Sequence, residues 1–136
     1  MRVLVAEDSV VNRELLRELL EARGCEVAEA GDGQEALDML AGEMPDVLLL
    51  DINMPRLDGF GALQQIRENP RTAALPVVAV TAYAMRGDKE KALNAGFDGY
   101  LSKPIDAALL AREIARVLGQ PFGRASATKE SSAAGN

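Results

Sequence analysis

Side chains that could do chemistry stand at widely separated places in the chain, each at the end of a short apolar run or just after one. The chain contains no histidine and one cysteine, so a histidine base, a cysteine-based zinc site and a disulfide framework are excluded. Acid–base or metal chemistry must therefore rest on carboxylates. The candidate residues are Glu7, Asp8, Asp51, Thr81 and Lys103.

These residue types favour phosphoryl transfer. Three carboxylates that meet at one place repel one another unless a cation neutralises them. Without histidine or thiolate ligands, such an oxygen site suits Mg²⁺, which commonly bridges one or two carboxylates to a phosphate. A carboxylate in such a site can act as a nucleophile and form an acyl phosphate. Lys103 would supply an ammonium group and Thr81 a hydroxyl to the phosphoryl oxygens.

The apolar pattern predicts five strands that alternate with helices. Short, near-continuous apolar runs are typical of parallel strands that are covered on both faces, and helical spacing of apolar residues separates them. The predicted strands are Val3–Ala6, Glu26–Ala30, Asp46–Asp51, Pro76–Thr81 and Tyr100–Ser102. The predicted helices run from a Ser9 cap to Gly24, from Asp32 through Met44, from Phe60 to Glu68, from Asp88 to Ala95, and through Leu109–Leu118.

This alternation predicts an α/β doubly wound domain, a five-stranded parallel sheet with right-handed crossovers and helices on both faces. In such sheets, sites form beyond the carboxyl ends of the strands, and the candidate residues fall there. We expect one domain over residues 1–119. Residues 120–136, rich in Ala, Ser and Gly, are predicted to form a flexible C-terminal tail.

The composition disfavours nucleic acid and membranes as binding partners. The 136-residue chain has a net charge of −6, with 21 acidic against 15 basic residues, which disfavours direct binding of nucleic acid. No stretch approaches the roughly 20 apolar residues of a membrane span, so we expect no membrane association and a cytoplasmic location. Cys25 is interpreted as a small buried hydrophobic residue.

At these residues the sequence resembles the response-regulator receiver family, which is CheY-like in fold. The resemblance covers roughly residues 1–118. Within the family, the chain is similar to single-domain receivers of bacterial cell-cycle control and to hybrid-kinase receivers. It implies a flavodoxin-like (βα)5 fold with strand order 2-1-3-4-5. The motifs, in chain order, are Glu7-Asp8, Leu50-Asp51-Ile52-Asn53-Met54-Pro55, Val80-Thr81-Ala82 and Tyr100-Leu101-Ser102-Lys103-Pro104.

The resemblance implies a metal and phosphoacceptor site. Asp51 would accept the phosphoryl group. Asp8, Asp51 and the main-chain carbonyl of Asn53 would bind Mg²⁺, with Glu7 contributing directly or through water. The resemblance thus adds Asn53 to the candidates that the residue types indicate.

Further roles follow from the same resemblance. Lys103 and Thr81 would bind phosphoryl oxygens, and the Tyr100 ring would turn inward when Thr81 moves toward the phosphate. A cis bond between Lys103 and Pro104 is also implied. The face formed by the fourth helix, fifth strand and fifth helix would carry the signal.

The resemblance also implies the partners. A sensor histidine kinase or a histidine phosphotransfer protein would donate the phosphoryl group, and a downstream protein would bind the signalling face. We expect a switch with self-catalysed phosphorylation and slow autodephosphorylation, not a turnover enzyme, and a monomer or a weak phosphorylation-dependent dimer. The identity of the kinase and target stays open, as does whether the chain acts alone or was cut from a longer protein.

Other interpretations of these residues stay open. Glu7 and Asp8 could be no more than charges favoured at a helix N-terminus, and Asp51 a turn residue before a proline-containing loop. A haloacid-dehalogenase-like phosphatase also uses a strand-end Asp nucleophile with Mg²⁺. It requires a second acidic residue two positions later as general acid–base, where this chain has Asn53. A flavodoxin-like flavin binder is disfavoured because Glu7 and Asp8 would repel a flavin phosphate.

Overall fold

The structure, a computed structural model, describes residues 1–82 and 85–119. Within these residues, five strands alternate with five helices. The strands are β1 (Arg2–Ala6), β2 (Glu26–Ala30), β3 (Val47–Asp51), β4 (Val77–Thr81) and β5 (Gly99–Ser102). The helices are α1 (Val10–Glu21), α2 (Gly33–Leu40), α3 (Gly59–Glu68), α4 (Asp88–Ala95) and α5 (Ala107–Leu118).

All strand pairs are parallel, in the order β2-β1-β3-β4-β5, so the predicted fold class and strand order are confirmed. The central strand β3 is buried along its whole length. Because successive side chains of a strand point to opposite faces, Leu48 and Leu50 join one apolar layer and Leu49 joins the other. The first layer packs beneath α2, α3 and α4, and the second beneath α1 and α5.

Local capping signals place most helix ends where the sequence predicts them. The Ser9 hydroxyl accepts a 3.3 Å hydrogen bond from the Asn12 main-chain N–H and so begins α1. The helix α5 begins at Ala107, two residues before the predicted Leu109, because the Asp106 carboxylate accepts from the N–H groups of Ala108 and Leu109. Left-handed Gly119, with φ of 71°, ends it as predicted.

The predicted end of α2 at Met44 is wrong. The start is confirmed, since the Asp32 carboxylate accepts from the Glu35 N–H at 2.8 Å, but the helix ends at Leu40. The Arg71 guanidinium, from the segment between α3 and β4, donates to the main-chain carbonyls of Leu40 and Gly42. These carbonyls therefore have a partner outside the helix, which stabilises its early end.

Among the described residues, no helix combines the length and apolar character that a membrane span requires. Cys25 is buried, as its interpretation as a small hydrophobic residue predicts. The tail predicted for residues 120–136 lies outside the described residues.

Candidate functional site

The carboxyl ends of the central strands bring the candidate residues to one edge of the sheet. The strand register pairs Ala6 with Leu50 and Thr81 with Ser102, so Glu7 and Asp51 are level with each other. Glu7 directly follows β1, Asp8 comes next, and Asp51 ends β3, so the buried apolar side chains of these two strands anchor the backbone of the acidic candidates. The predicted convergence is therefore observed.

Three carboxylates form a cluster at this edge. Glu7, Asp8 and Asp51 each offer a carboxylate oxygen, and these oxygens all lie within 4.8 Å of one another. Glu7 and Asp51 are buried, whereas Asp8 is exposed, so the cluster opens to solvent on the Asp8 side. Carboxylate oxygens without nitrogen or sulfur ligands suit a hard cation such as Mg²⁺, and the donor set fits that ion.

Lys103 joins two of these carboxylates. Its Nζ lies 2.6 Å from Glu7 Oε1 and 3.1 Å from Asp51 Oδ2, and its side chain is only 14 % exposed. The ammonium therefore sits between the buried acids and partly neutralises them. Its own backbone is fixed because the Lys103 N–H donates to the Thr81 carbonyl at 2.8 Å.

Burial and the neighbouring charges shift the pKa values of Glu7 and Lys103. Burial is the main reason why the pKa of Glu7 is raised; Asp51 adds to the effect, while Lys103 and the Ser9 N–H oppose it. Burial lowers the pKa of Lys103, but its hydrogen bonds to Glu7 and Asp51 outweigh that effect, and the pKa is raised overall. Lys103 thus remains a cation in this setting.

Asn53 connects Asp51 to Thr81. The Asn53 main-chain N–H donates to Asp51 Oδ1 at 2.9 Å, and its side-chain amide donates to the Thr81 hydroxyl at 2.9 Å. Asp51 therefore has one oxygen held by a backbone N–H and the other by Lys103. The Asn53 side chain thus links the loop after β3 to the end of β4 at the site.

Tyr100 lies outside the carboxylate cluster. It is half-buried on β5, packs against the apolar layer beneath α2, α3 and α4, and pairs with Ala79 of β4. Burial raises the pKa of its hydroxyl, and the negative charge of Asp88 adds to the shift. Its proposed switching role stays a prediction. The Lys103–Pro104 peptide bond is cis, as the resemblance implies.

Sequence reasoning missed two residues that shape the site. A Cβ on Gly59 would lie 2.6 Å from Ile52 Cα and 2.8 Å from the Asp51 carbonyl oxygen, so only glycine lets α3 start this close to the phosphoacceptor candidate. The Arg13 guanidinium donates to the Glu7 carbonyl at 2.8 Å. The Asp58-Gly59 pair after the proline-containing loop is a typical turn signal, which does not by itself indicate a close backbone approach. Arg13 gives no signal, because no local pattern shows which carbonyl a helical arginine will reach.

Comparisons with known proteins agree with this geometry. The family model for the response regulator receiver domain matches residues 3–115. The polar-differentiation response regulator DivK of Brucella anthropi is 37 % identical over 117 residues, which cover 86 % of this chain and 95 % of that protein.

Solved structures of receiver proteins also resemble this chain in sequence and fold. The receiver domain of a sensor histidine kinase from Pseudomonas aeruginosa, solved with a magnesium ion coordinated in its active-site cleft, is 34 % identical with a TM-score of 0.80, covering 88 % of this chain and 98 % of that one. The chemotaxis protein CheY4 of Vibrio cholerae is 30 % identical with a TM-score of 0.79, covering 85 % and 97 %. With its matched sequence, parallel sheet and acidic strand-end cluster, this chain belongs to the response-regulator receiver family of two-component systems.

Proposed function

We propose that Asp51 accepts a phosphoryl group from the phosphohistidine of a sensor kinase or a histidine phosphotransfer protein, in a reaction that needs Mg²⁺. The observation that best supports this is the buried Asp51 carboxylate, which lies in a cluster with Glu7 and Asp8 and 3.1 Å from Lys103 Nζ. A carboxylate nucleophile beside a metal-binding acid pair and a largely buried ammonium is suited to phosphoryl transfer.

The residues of the site would have separate roles in metal binding and phosphoryl transfer. Asp8, Asp51 and the Asn53 carbonyl would hold Mg²⁺, with Glu7 contributing directly or through water. When bound, the metal ion neutralises the charge that builds up on the phosphoryl oxygens. An Asp51 oxygen forms the new O–P bond while the N–P bond to the donor imidazole breaks, and the imidazole nitrogen keeps the bonding electrons. Lys103 and Thr81 bind the phosphoryl oxygens.

A downstream protein would recognise the phosphorylated state at a surface distant from Asp51. When Thr81 is drawn toward the phosphoryl group, the Tyr100 ring turns inward and changes the face formed by α4, β5 and α5. Two exposed apolar side chains, Leu93 of α4 and Leu109 of α5, support this face as the contact surface for a downstream protein. Slow autodephosphorylation then resets the switch. We further propose a cytoplasmic location and a monomer that dimerises weakly on phosphorylation.

Intact mass after incubation with acetyl phosphate tests the chemistry. We expect one added phosphoryl group in the wild-type chain with Mg²⁺, and none without Mg²⁺ or in Asp51→Asn. An adduct that persists in Asp51→Asn would place the chemistry elsewhere. A folded wild-type chain that binds Mg²⁺ but forms no adduct, and that turns over a small phosphomonoester, would instead favour the phosphatase alternative.

A further inference from the structure

The Arg13 guanidinium reaches from α1 back to the acidic loop. Arg13 lies in the first turns of α1, where its N–H donates to the Ser9 carbonyl at 2.9 Å. Its Nη1 donates to the Glu7 carbonyl at 2.8 Å. This carbonyl belongs to the peptide that joins Glu7 to Asp8, the two acidic residues of the cluster. The side chain is 19 % exposed, so the bond is partly shielded from solvent.

A carboxylate on the edge strand holds Arg13 in this position. Arg13 Nε donates to Glu29 Oε1 at 3.0 Å, while Arg17 Nη1 donates to Glu29 Oε2 at 2.8 Å. Each oxygen of Glu29 thus serves one arginine. Burial raises the pKa of Glu29, but the two arginines outweigh it and lower the pKa overall, so the carboxylate stays charged near neutral pH.

The main chain of Glu7 is therefore held on both sides. Its N–H donates to the Ala30 carbonyl at 3.0 Å, and its carbonyl accepts from Arg13. A peptide group is planar, so fixing the Glu7 carbonyl also fixes the N–H and Cα of Asp8. Asp8 is the exposed member of the carboxylate cluster, and its direction depends on this backbone.

We propose that Arg13 is a positioning residue for the metal site: by holding the Glu7–Asp8 peptide, it orients the Asp8 carboxylate toward Glu7 and Asp51. The inference rests on the proposed function only in taking Mg²⁺ as the ion. It assigns Arg13 no contact with the metal or the phosphoryl group. The role would be exerted through the backbone, as for other outer partners of metal ligands.

Removal of the Arg13 charge and loss of the Asp8 orientation should change the Mg²⁺ affinity in opposite directions. A guanidinium near a cation site repels Mg²⁺, so loss of its charge alone would tighten metal binding. Loss of a bond that orients Asp8 would weaken binding. The sign of the change in Mg²⁺ affinity therefore separates positioning from electrostatics.

The experiment is a calorimetric titration of the full chain with Mg²⁺ alone. We expect Arg13→Met to raise the Mg²⁺ dissociation constant about 10-fold, the lower end of the range for outer partners of metal sites. Arg13→Lys keeps the charge but cannot hold both Glu7 and Glu29, so we expect a smaller increase in the same direction. Circular dichroism and thermal unfolding would establish that each variant is folded.

Arg17→Met is the matched control. Arg17 donates to the same Glu29 carboxylate, pairs with Glu21 at 3.9 Å and lies one helical turn further from the acidic loop. We expect its Mg²⁺ dissociation constant to stay within about twofold of wild type, as for other partly exposed ion pairs.

The outcomes separate this inference from the proposed function. Unchanged or tighter Mg²⁺ binding by folded Arg13→Met would overturn the positioning role, as would an equal loss in Arg17→Met. A wild-type chain that binds Mg²⁺ but gains no mass from acetyl phosphate would contradict the phosphoacceptor proposal and leave the Arg13 result standing.

Discussion

The side-chain amide of Asn53 donates a 2.9 Å hydrogen bond to the hydroxyl of Thr81, 28 residues further along the chain. The same residue holds Asp51 through its main-chain N–H. The phosphoacceptor candidate and the residue expected to sense its phosphorylation are thus both hydrogen-bonded to Asn53. Any movement of Thr81 toward Asp51 must alter this hydrogen bond.

Asn53→Ala should loosen Thr81 without unfolding the domain. Because a hydrogen bond of this kind contributes about 1 kcal/mol, its loss should shift the populations of the Thr81 side-chain rotamers. Three-bond couplings to the Thr81 methyl group, measured by NMR without phosphate, would report the shift. Asn94→Ala, at an exposed position of α4, is the control and should leave the couplings unchanged. Couplings in Asn53→Ala that equal those of the wild-type chain would contradict the prediction.

Asp8→Asn should stabilise the metal-free protein and abolish its response to Mg²⁺. The variant removes one of three carboxylates whose oxygens lie within 4.8 Å of one another, so like-charge repulsion falls. We expect a gain of about 1 kcal/mol in unfolding free energy at low ionic strength, and less in high salt, because screening weakens the repulsion.

Urea unfolding with and without Mg²⁺ measures both effects of Asp8→Asn. Mg²⁺ should raise the midpoint of the wild-type chain through its binding to the folded state, but not that of the variant. Equal stabilisation of both proteins by Mg²⁺ would show that Asp8 does not take part in metal binding.

Gly59→Ala should destabilise the domain and displace Asp51. The added Cβ would lie 2.6 Å from Ile52 Cα and 2.8 Å from the Asp51 carbonyl oxygen, and backbone atoms cannot move aside cheaply. We expect a loss of about 2 kcal/mol, in the range for overpacking. Gly42→Ala is the control, since the nearest atom to its Cβ is 3.5 Å away. Chemical unfolding compares the two; equal stability would contradict the close approach.

Glu113 should make the stability pH-dependent. Its carboxylate accepts from the Tyr100 N–H at 2.8 Å on the open edge of β5 and from Arg116 at 2.8 Å. Burial raises the pKa of Glu113, but Arg116 and the Tyr100 N–H outweigh it, so the folded pKa lies below the ordinary value of 4.5. This contribution is therefore fully present above that value and is lost as the pH falls through the folded pKa.

The Glu113→Gln variant isolates this effect. We expect it to be less stable than wild type by about 1 kcal/mol near neutral pH, because it loses the charge but keeps an acceptor for Tyr100. The difference in unfolding free energy should shrink as the pH falls below 4.5. Urea unfolding over a pH series measures it, and a difference that grows in acid would show that the sign is wrong.

The local sequence determined much of this protein. Short apolar runs predict the central strands β1, β3 and β4 because these strands are buried on both faces. Side chains such as Ser9 and Asp32 begin helices through bonds to neighbouring N–H groups. The convergence of Glu7, Asp51 and Lys103 could also be predicted, since the carboxyl ends of parallel strands lie at the same edge of a sheet. These features depend on periodicity, residue type and order along the chain.

Only the tertiary structure decided the features that depend on partners distant in the chain. Helix α2 ends at Leu40, where Arg71, 31 residues later, donates to the main-chain carbonyl and stabilises the helix end. The close packing of Gly59 under Asp51 and the bond from Arg13 to the Glu7 carbonyl depend on how α3 and α1 dock against the sheet. No periodic pattern encodes which backbone carbonyl a guanidinium will reach, because that choice is made by packing geometry once the elements have assembled.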